Sequence, residues 1–408
     1  MEGLYTVGKK VIIFCEQPII EHPNANNAIF YGKIVQDLGY EVKVIGIDYF
    51  TGCSRKFIKY DVECENIACE GKINFLSRKR QCVRKGKDII DKYFGNDVCI
   101  AFFLGDIAGI LYHYLFHKCK KNNSALIVQM CEWYDVKRTF AGCTWKNIIK
   151  KLVFYIAVVL ARNINFVKAN GIIAISSSMA ACFNNKKCKT MVMPNLLDTE
   201  LLRDQVLDHK KNDKLVLGYF GSPGLHNTKD SLDNIIYALN MLGNDEREKI
   251  DFYVYGIEER ELTSKYDVEK SCVDNLKNVL KVFGRIPKDQ VGFELAKVDF
   301  TVLLRNNTHS INCGLSSKME ESLAYGVPVI CNITSDMDKF IVNEKSGIIV
   351  ENNTPESCLI GIRKALMLTE KEKNSMRNEA LNKADELINY KRYVKQLGFF
   401  MEEIQKNE

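Results

Sequence analysis

Short apolar runs alternate with longer polar-and-apolar stretches along most of the chain. Lys10–Cys15 (KVIIFC) is the first run, and a helical stretch from about Ile29 to Leu38 follows it after the Asn-rich segment HPNANNA at 22–28. Gly39 caps that helix, and Glu41–Ile47 (EVKVIGI) returns as a strand. Further strands are expected at Val98–Leu104, Ala125–Met130, Gly171–Ile175 and Thr190–Met193. These are continuous rather than alternating apolar runs, the pattern of strands covered on both faces. The sequence turns polar over 199–213, where an interdomain linker is expected. The plan then restarts: a strand at Leu215–Phe220, a helix over Ser231–Leu242, and strands at Asp251–Tyr255, Val279–Phe283, Phe300–Leu304, Pro328–Cys331 and Gly347–Val350. From about Pro355 to Glu408 the pattern is helical. Two doubly wound α/β domains with parallel sheets are therefore expected.

A length of 408 residues agrees with two domains. With 46% hydrophobic and 26% charged residues, the composition is that of an ordinary globular protein. The net charge of +6 suits anionic ligands or an anionic membrane surface and is too weak to indicate nucleic acid. The 15 cysteines are scattered, without a CxxC pair or zinc spacing, and no apolar leader precedes the first strand. A reduced, cytoplasmic protein is the expectation. The longest apolar run, Leu152–Ala161, is too short for a bilayer span of ~20 residues. It reads either as a buried core helix or as an interfacial helix with the basic flank KNIIKK at 146–151.

The stretch most charged with chemistry is Ser317–Ile330 (SKMEESLAYGVPVI). Lys318 and Glu321 fall on one face at the start of a helix, where backbone N–H groups and the dipole favour an anion. Gly326 ends the helix, and Pro328 prevents its continuation. A cation and a carboxylate beside a helix N-terminus suit a ribose followed by a diphosphate; an ordinary capped helix before a core strand would read the same way. Neither half carries GxGxxG after its first strand, and GxxxxGK[ST] is absent, which argues against dehydrogenases and P-loop nucleotide hydrolases. The second half instead has the turn GSPGLHNTKD at 221–230, where Gly221 and Ser222 let backbone approach a phosphate and Lys229 supplies charge. Arg305 ends the strand Phe300–Leu304 and can fork onto a phosphate. In the first half, Glu132, Trp133, Tyr134 and Asp135 follow a strand and offer an acid/base carboxylate and a sugar-stacking ring. Each of these also reads as plain turn or surface.

The stretch 317–330 resembles glycosyltransferase family 4, the group 1 transferases of GT-B fold, in its SKxxExLAxGxPVI form. The resemblance implies two Rossmann-like domains facing a cleft: an acceptor-binding domain over 1–199, a donor-binding domain over 214–388, and a C-terminal segment over 389–408 crossing back to the first domain near Asn389–Tyr393. It implies transfer of a sugar from a nucleoside-diphosphate sugar to an acceptor hydroxyl of a growing glycan or glycolipid, as in capsular and surface-polysaccharide synthesis. The transfer would retain configuration and would not require a metal, since Arg305, Lys318 and Lys229 would neutralise the diphosphate in its place. Donor contacts would come from Gly221, Ser222, Lys229, Gly284, Arg285, Gly314, Leu315, Ser316, Ser317 and Glu321, with Glu321 on the ribose and the turn Phe283–Pro287 against the base. Arg305 and Lys318 would stabilise the departing diphosphate. Glu132, Trp133, Asn26 and Asn27 would line the acceptor side, the two asparagines from a loop. No cofactor is expected beyond the nucleotide-sugar co-substrate; partners are that donor, a glycan or lipid-linked acceptor and an anionic membrane surface at the inner face, with no nucleic acid. One departure stands out: the family's other glutamate, eight positions before Glu321, is Cys313 here. A catalytically silent GT-B partner of a glycan-assembly complex and a nucleotide-sugar 2-epimerase are the alternatives.

Overall fold

The computed structural model describes residues 9–19, 23–49, 54–69, 75–205 and 213–406. It divides into two compact units: one of residues 1–134, 149–197 and 390–408, the other of residues 135–148 and 198–389.

The first unit is built on an eight-stranded sheet of order β3-β4-β2-β1-β5-β6-β7-β8. Its strands are β1 (Lys10–Cys15), β2 (Glu41–Asp48), β3 (Arg55–Lys59), β4 (Val62–Ala68), β5 (Val98–Leu104), β6 (Ala125–Met130), β7 (Gly171–Ala174) and β8 (Lys189–Val192). All pairings are parallel except β3 with β4. This antiparallel edge ribbon has no counterpart in the expected strands. Lys59 pairs with Val62, so the turn is the two residues Tyr60 and Asp61, both at positive φ (52° and 63°). That is the geometry of a tight hairpin that ordinarily uses Asn-Gly; a Tyr-Asp pair gives no such signal. The Tyr60 ring stacks on Phe30 with centroids 5.1 Å apart, a contact that helps hold the turn.

The first helix spans Pro23–Asp37, so the Asn-rich segment is helix rather than loop. Pro23 at its first position suits a helix start, since no N–H is needed there. Asn27 is fully buried: its amide donates to Asn195 Oδ1 (2.9 Å), and its Oδ1 accepts from the Leu196 N–H (3.0 Å). The C-terminal helix Val394–Gln405 belongs to this unit. Leu397, Phe400, Met401 and Ile404 join the core formed by Val11, Ile13, Ile100 and Phe102. Tyr390 enters by donating its N–H to Leu197 O (3.0 Å).

The second unit has a six-stranded, wholly parallel sheet of order β11-β10-β9-β12-β13-β14. Its strands are β9 (Leu215–Phe220), β10 (Ile250–Tyr255), β11 (Leu280–Gly284), β12 (Phe300–Leu303), β13 (Val329–Asn332) and β14 (Gly347–Val350). Part of the expected linker is ordered here: Thr199–Gln205 is helical, and Thr199 Oγ1 donates to Asp385 (2.8 Å). Residues 206–212 of that linker lie outside the described residues. The fourteen cysteines among the described residues are free thiols.

Candidate functional site

In the second unit β9 and β12 are neighbours although β10 and β11 come between them in the chain, so strand order reverses there. Open α/β sheets hold ligands beyond the carboxyl ends of the strands at such a reversal. β9 brings Tyr219 and Gly221 to that edge, and β12 leads into Leu304 and Arg305. The turn after β9 returns along them: Asp230 bridges Arg305, and Ser231 N–H donates to Leu304 O (2.8 Å). The helix Ser317–Ala324 completes the group with Lys318.

Asp230 is the hub. It is 2% exposed, accepts from the Tyr219 hydroxyl (2.9 Å) and from the Lys318 ammonium, and lies 3.4 Å from Arg305 Nε. Lys318 Nζ donates in addition to the Tyr219 hydroxyl and to Ser222 O, each at 2.9 Å. An ammonium has three N–H groups, and all three have an acceptor here. Lys318 therefore ties the Gly-rich turn to the helix, a role beyond the expected one of awaiting a diphosphate. Gly221 makes the approach feasible: at φ +111°, a Cβ there would stand 2.6 Å from Lys318 Cε.

Arg305 is differently placed. Asn332 holds its backbone like a neighbouring strand, accepting from Arg305 N–H (2.7 Å) and donating to Arg305 O (2.9 Å). The side chain is 7% exposed, and its Nε and Nη1 are buried without a hydrogen-bond partner. Buried donors on a charged group are costly to leave unmade. Two cations thus meet one carboxylate, with Lys229 adjacent in the chain to Asp230. The titration directions follow. Burial pushes the Asp230 carboxyl up, but Lys318 and Arg305 outweigh it and hold it below its ordinary value. Burial lowers Lys318; Asp230 opposes this, and Arg305 and Lys229 lower it further. In an isolated ion pair the lysine would rise. Here desolvation, helped by the neighbouring positive charge, outweighs the pull of Asp230.

Glu321 lies one turn along the same helix. Burial raises its carboxyl above the ordinary value, against the pull of Lys288, whose Nζ is 3.6 Å from Oε1. Ser316 caps the helix by accepting from Met319 N–H (3.4 Å); Ser317 is exposed, and Gly314 and Leu315 form the half-buried link from the helix His309–Cys313. Cys313 is buried, its Sγ 3.5 Å from His309 Nε2. At the carboxyl ends of β9, β10 and β11 the rings of Phe220, Tyr255 and Phe283 stack in series, 4.7 Å between successive centroids and 11° and 10° between planes. Phe283, 48% exposed, leaves a ring beside the Gly284 turn. Arg285 is exposed, 3.8 Å from Glu261.

The equivalent reversal in the first unit lies between β1 and β5 and is lined by carboxyl groups instead of cations. Glu16 follows β1 and Asp106 follows β5; burial, reinforced by Asp106 and opposed by Lys79, pushes Glu16 up to about 8. The Tyr134 hydroxyl donates to Asp106 Oδ2 (3.1 Å). Glu132 and Trp133 are half-buried at the end of β6. The Arg162 guanidinium lies 3.6 Å from the Trp133 ring centroid, so one face of the expected sugar platform is already covered. Asn26 is half-buried on the first helix, and Asn27 is the structural clamp described above, which corrects its assignment to an acceptor loop.

Sequence reading thus named Arg305, Lys318 and Lys229, which the fold brings together, and overlooked Asp230, Tyr219, Asn332, Glu16 and Asp106. Asp230 closes the GSPGLHNTKD turn, but a carboxylate carries no anion-site signal until its two cations are seen beside it.

Residues 207–383 match the family described as "Glycosyl transferases group 1". No curated protein matches the chain by sequence. Among solved structures, a glycosyltransferase from Rickettsia africae is similar over 98% of this chain and 100% of its own, with 14% identity and a TM-score of 0.65. Sucrose-phosphate synthase from Thermosynechococcus elongatus is similar over 98% and 100%, at 12% identity and a TM-score of 0.67. Anabaena HepE in complex with UDP is similar over 97% and 100%, at 13% identity and a TM-score of 0.62. The fold is GT-B, with its two parallel sheets, and the match over 207–383 supports a glycosyltransferase.

Proposed function

We propose that this glycosyltransferase moves a sugar from a nucleoside-diphosphate donor, in the first instance a UDP-sugar, to a hydroxyl of a growing glycan or lipid-linked glycan. The observation that carries this reading is the buried, incompletely paired Arg305 guanidinium beside Lys318 at the strand-order reversal of the donor unit. A diphosphate supplies the oxygens that Arg305 lacks and the negative charge that Asp230 alone does not provide. Negative charge grows on the leaving diphosphate as the glycosidic bond breaks, and fixed cations in a buried place stabilise it without reorganising. Backbone N–H groups at the start of the helix Ser317–Ala324 and the nearby Lys229 add to this. These groups replace a divalent ion in the reading, which needs no cofactor beyond the co-substrate.

The Glu321 carboxylate is suited to accept from ribose hydroxyls, and the exposed Phe283 ring with the Gly284 turn to pack the base. UDP is favoured as the first donor nucleotide because the similar HepE structure is a complex with UDP. Retention of configuration is taken from the likeness to the group 1 family. On the acceptor side, Glu16, Asp106 and Glu132 offer acceptors for sugar hydroxyls. The setting is the cytoplasm, at the inner face of a membrane, in synthesis of a surface polysaccharide. A silent GT-B partner is the second reading, favoured by Cys313, whose thiol cannot do what the family carboxylate does beside the transferred sugar.

The test is release of nucleoside diphosphate from a panel of UDP-, GDP-, ADP- and CDP-sugars, given a lipid extract as acceptor and EDTA in the buffer. Transfer with one donor is expected, and Arg305→Lys should lower kcat by about 10²–10³-fold, the usual loss of one charge-stabilising donor. Nucleotide binding without turnover of any donor would favour the silent partner.

A further inference from the structure

The helix Ile148–Leu160 resolves the two readings open for the apolar run. A core helix should bury most of its apolar side chains; of this helix only Val158 is buried. Ile149, Leu152, Val153, Ile156 and Leu160 are all exposed, between 44% and 74%. Their spacing of three, one, three and four residues places them on one stripe of a 3.6-residue helix, opposite Val158. Exposed aliphatic residues are ordinary when scattered; a continuous stripe of them marks an interaction surface.

Charge decides what covers it. From Ile149 to Leu197, within the unit that carries the helix, the sequence holds seven lysines and arginines and no aspartate or glutamate. Lys150 lies exposed in the first turn of the helix, and Lys168 lies exposed just beyond its end. Such a stretch in a chain of net charge only +6 is a local excess rather than a general property. A protein partner with an apolar groove would satisfy the stripe but would not call for so long a stretch free of acid. An anionic bilayer surface satisfies both, accepting the side chains among its headgroups and acyl chains and the lysines at its phosphates. No helix among the described residues is long and apolar enough to cross a membrane, so the contact is peripheral.

We infer that the Ile149–Leu160 stripe docks the acceptor unit onto an anionic lipid surface, lying in the interface with its lysines at headgroup level. The inference gives substance to the membrane setting proposed above, and its test reads binding without any sugar transfer, so the two can fail separately.

The experiment is flotation of the full chain with vesicles of phosphatidylcholine alone or with phosphatidylglycerol added. The protein should float with the anionic vesicles, stay at the bottom with the neutral ones, and be released at high salt. Val153→Ser with Ile156→Ser should cut flotation at least about tenfold, because two apolar side chains are withdrawn from the interface. The same variant should keep its thermal shift with UDP, which reports an intact fold and donor unit. Lys150→Gln with Lys168→Gln should weaken binding and flatten its salt dependence. Flotation equal for neutral and anionic vesicles, or unchanged in the serine variant, overturns the inference. So does a wild type that is dimeric by light scattering and becomes monomeric in the serine variant, because the stripe would then be a contact between copies.

Discussion

Replacing Asp230 by Asn should destabilise the free protein and at the same time tighten its hold on a diphosphate. The substitution keeps the shape of the side chain and a carbonyl oxygen for the Tyr219 hydroxyl, and removes one buried negative charge from between Lys318 and Arg305. Removing one partner of a buried ion pair ordinarily costs about 3–5 kcal/mol, because the remaining charge loses its compensation. For a domain of roughly 200 residues 1 kcal/mol corresponds to about 2–4 °C, so the melting transition should fall by roughly 6–20 °C. The ligand effect has the opposite sign. A carboxylate near 4 Å from the bound phosphates would repel them by up to about 4 kcal/mol at an effective dielectric of 20, so its loss should strengthen binding at least about tenfold. The assay is differential scanning fluorimetry with a UDP titration at fixed ionic strength. UDP should raise the transition of Asp230→Asn by more than that of the wild type at every concentration. The reasoning is refuted if the variant melts within about 2 °C of the wild type, or if UDP shifts both proteins equally.

Other consequences follow from the same geometry. Glu321→Ala should raise the UDP dissociation constant by about 10–100-fold through loss of charged hydrogen bonds to the ribose, while leaving pyrophosphate binding unchanged in a competition assay. Asn332→Ala removes both hydrogen bonds to the Arg305 backbone and should cost about 1–3 kcal/mol in urea denaturation, with a matching loss of UDP affinity. Glu16 has its folded-state pKa raised to about 8, so the folded protein holds that proton more tightly than the unfolded chain. The stabilisation is fully present below the ordinary carboxyl range near about 4.3, and is lost as pH climbs through about 8. Glu16→Gln should flatten that decline by up to a few kcal/mol, as read from denaturation midpoints across roughly pH 5–9.

The sheets were readable in the chain because buried parallel strands are continuous apolar runs, and the expected strands appear within a residue or two of their places. The edge ribbon β3–β4 was not, since RKFIK is exposed on most positions and its turn uses Tyr60-Asp61 at positive φ in place of a recognisable turn pair. The Asn-rich segment looked like a loop by composition, yet Asn27 finds its partners in Asn195 and Leu196, 168 and 169 residues away, contacts that no local pattern contains. The candidate site was half visible. Lys318, Glu321 and Arg305 stand in recognisable positions at a helix start and a strand end. Asp230, Tyr219 and Asn332 act only through space. The helix Ile148–Leu160 shows the opposite limit: its apolar run was plain, but which face looked outward depended on packing.

The central claim is that Arg305 and its neighbours seat a nucleoside diphosphate. Calorimetric titration of UDP into the wild type and Arg305→Met, in EDTA and at two salt concentrations, addresses it directly. The account predicts metal-free binding to the wild type that weakens with salt, and a loss of at least about tenfold in the variant. Equal affinity in the two proteins, or binding that appears only when a divalent metal is supplied, would contradict it.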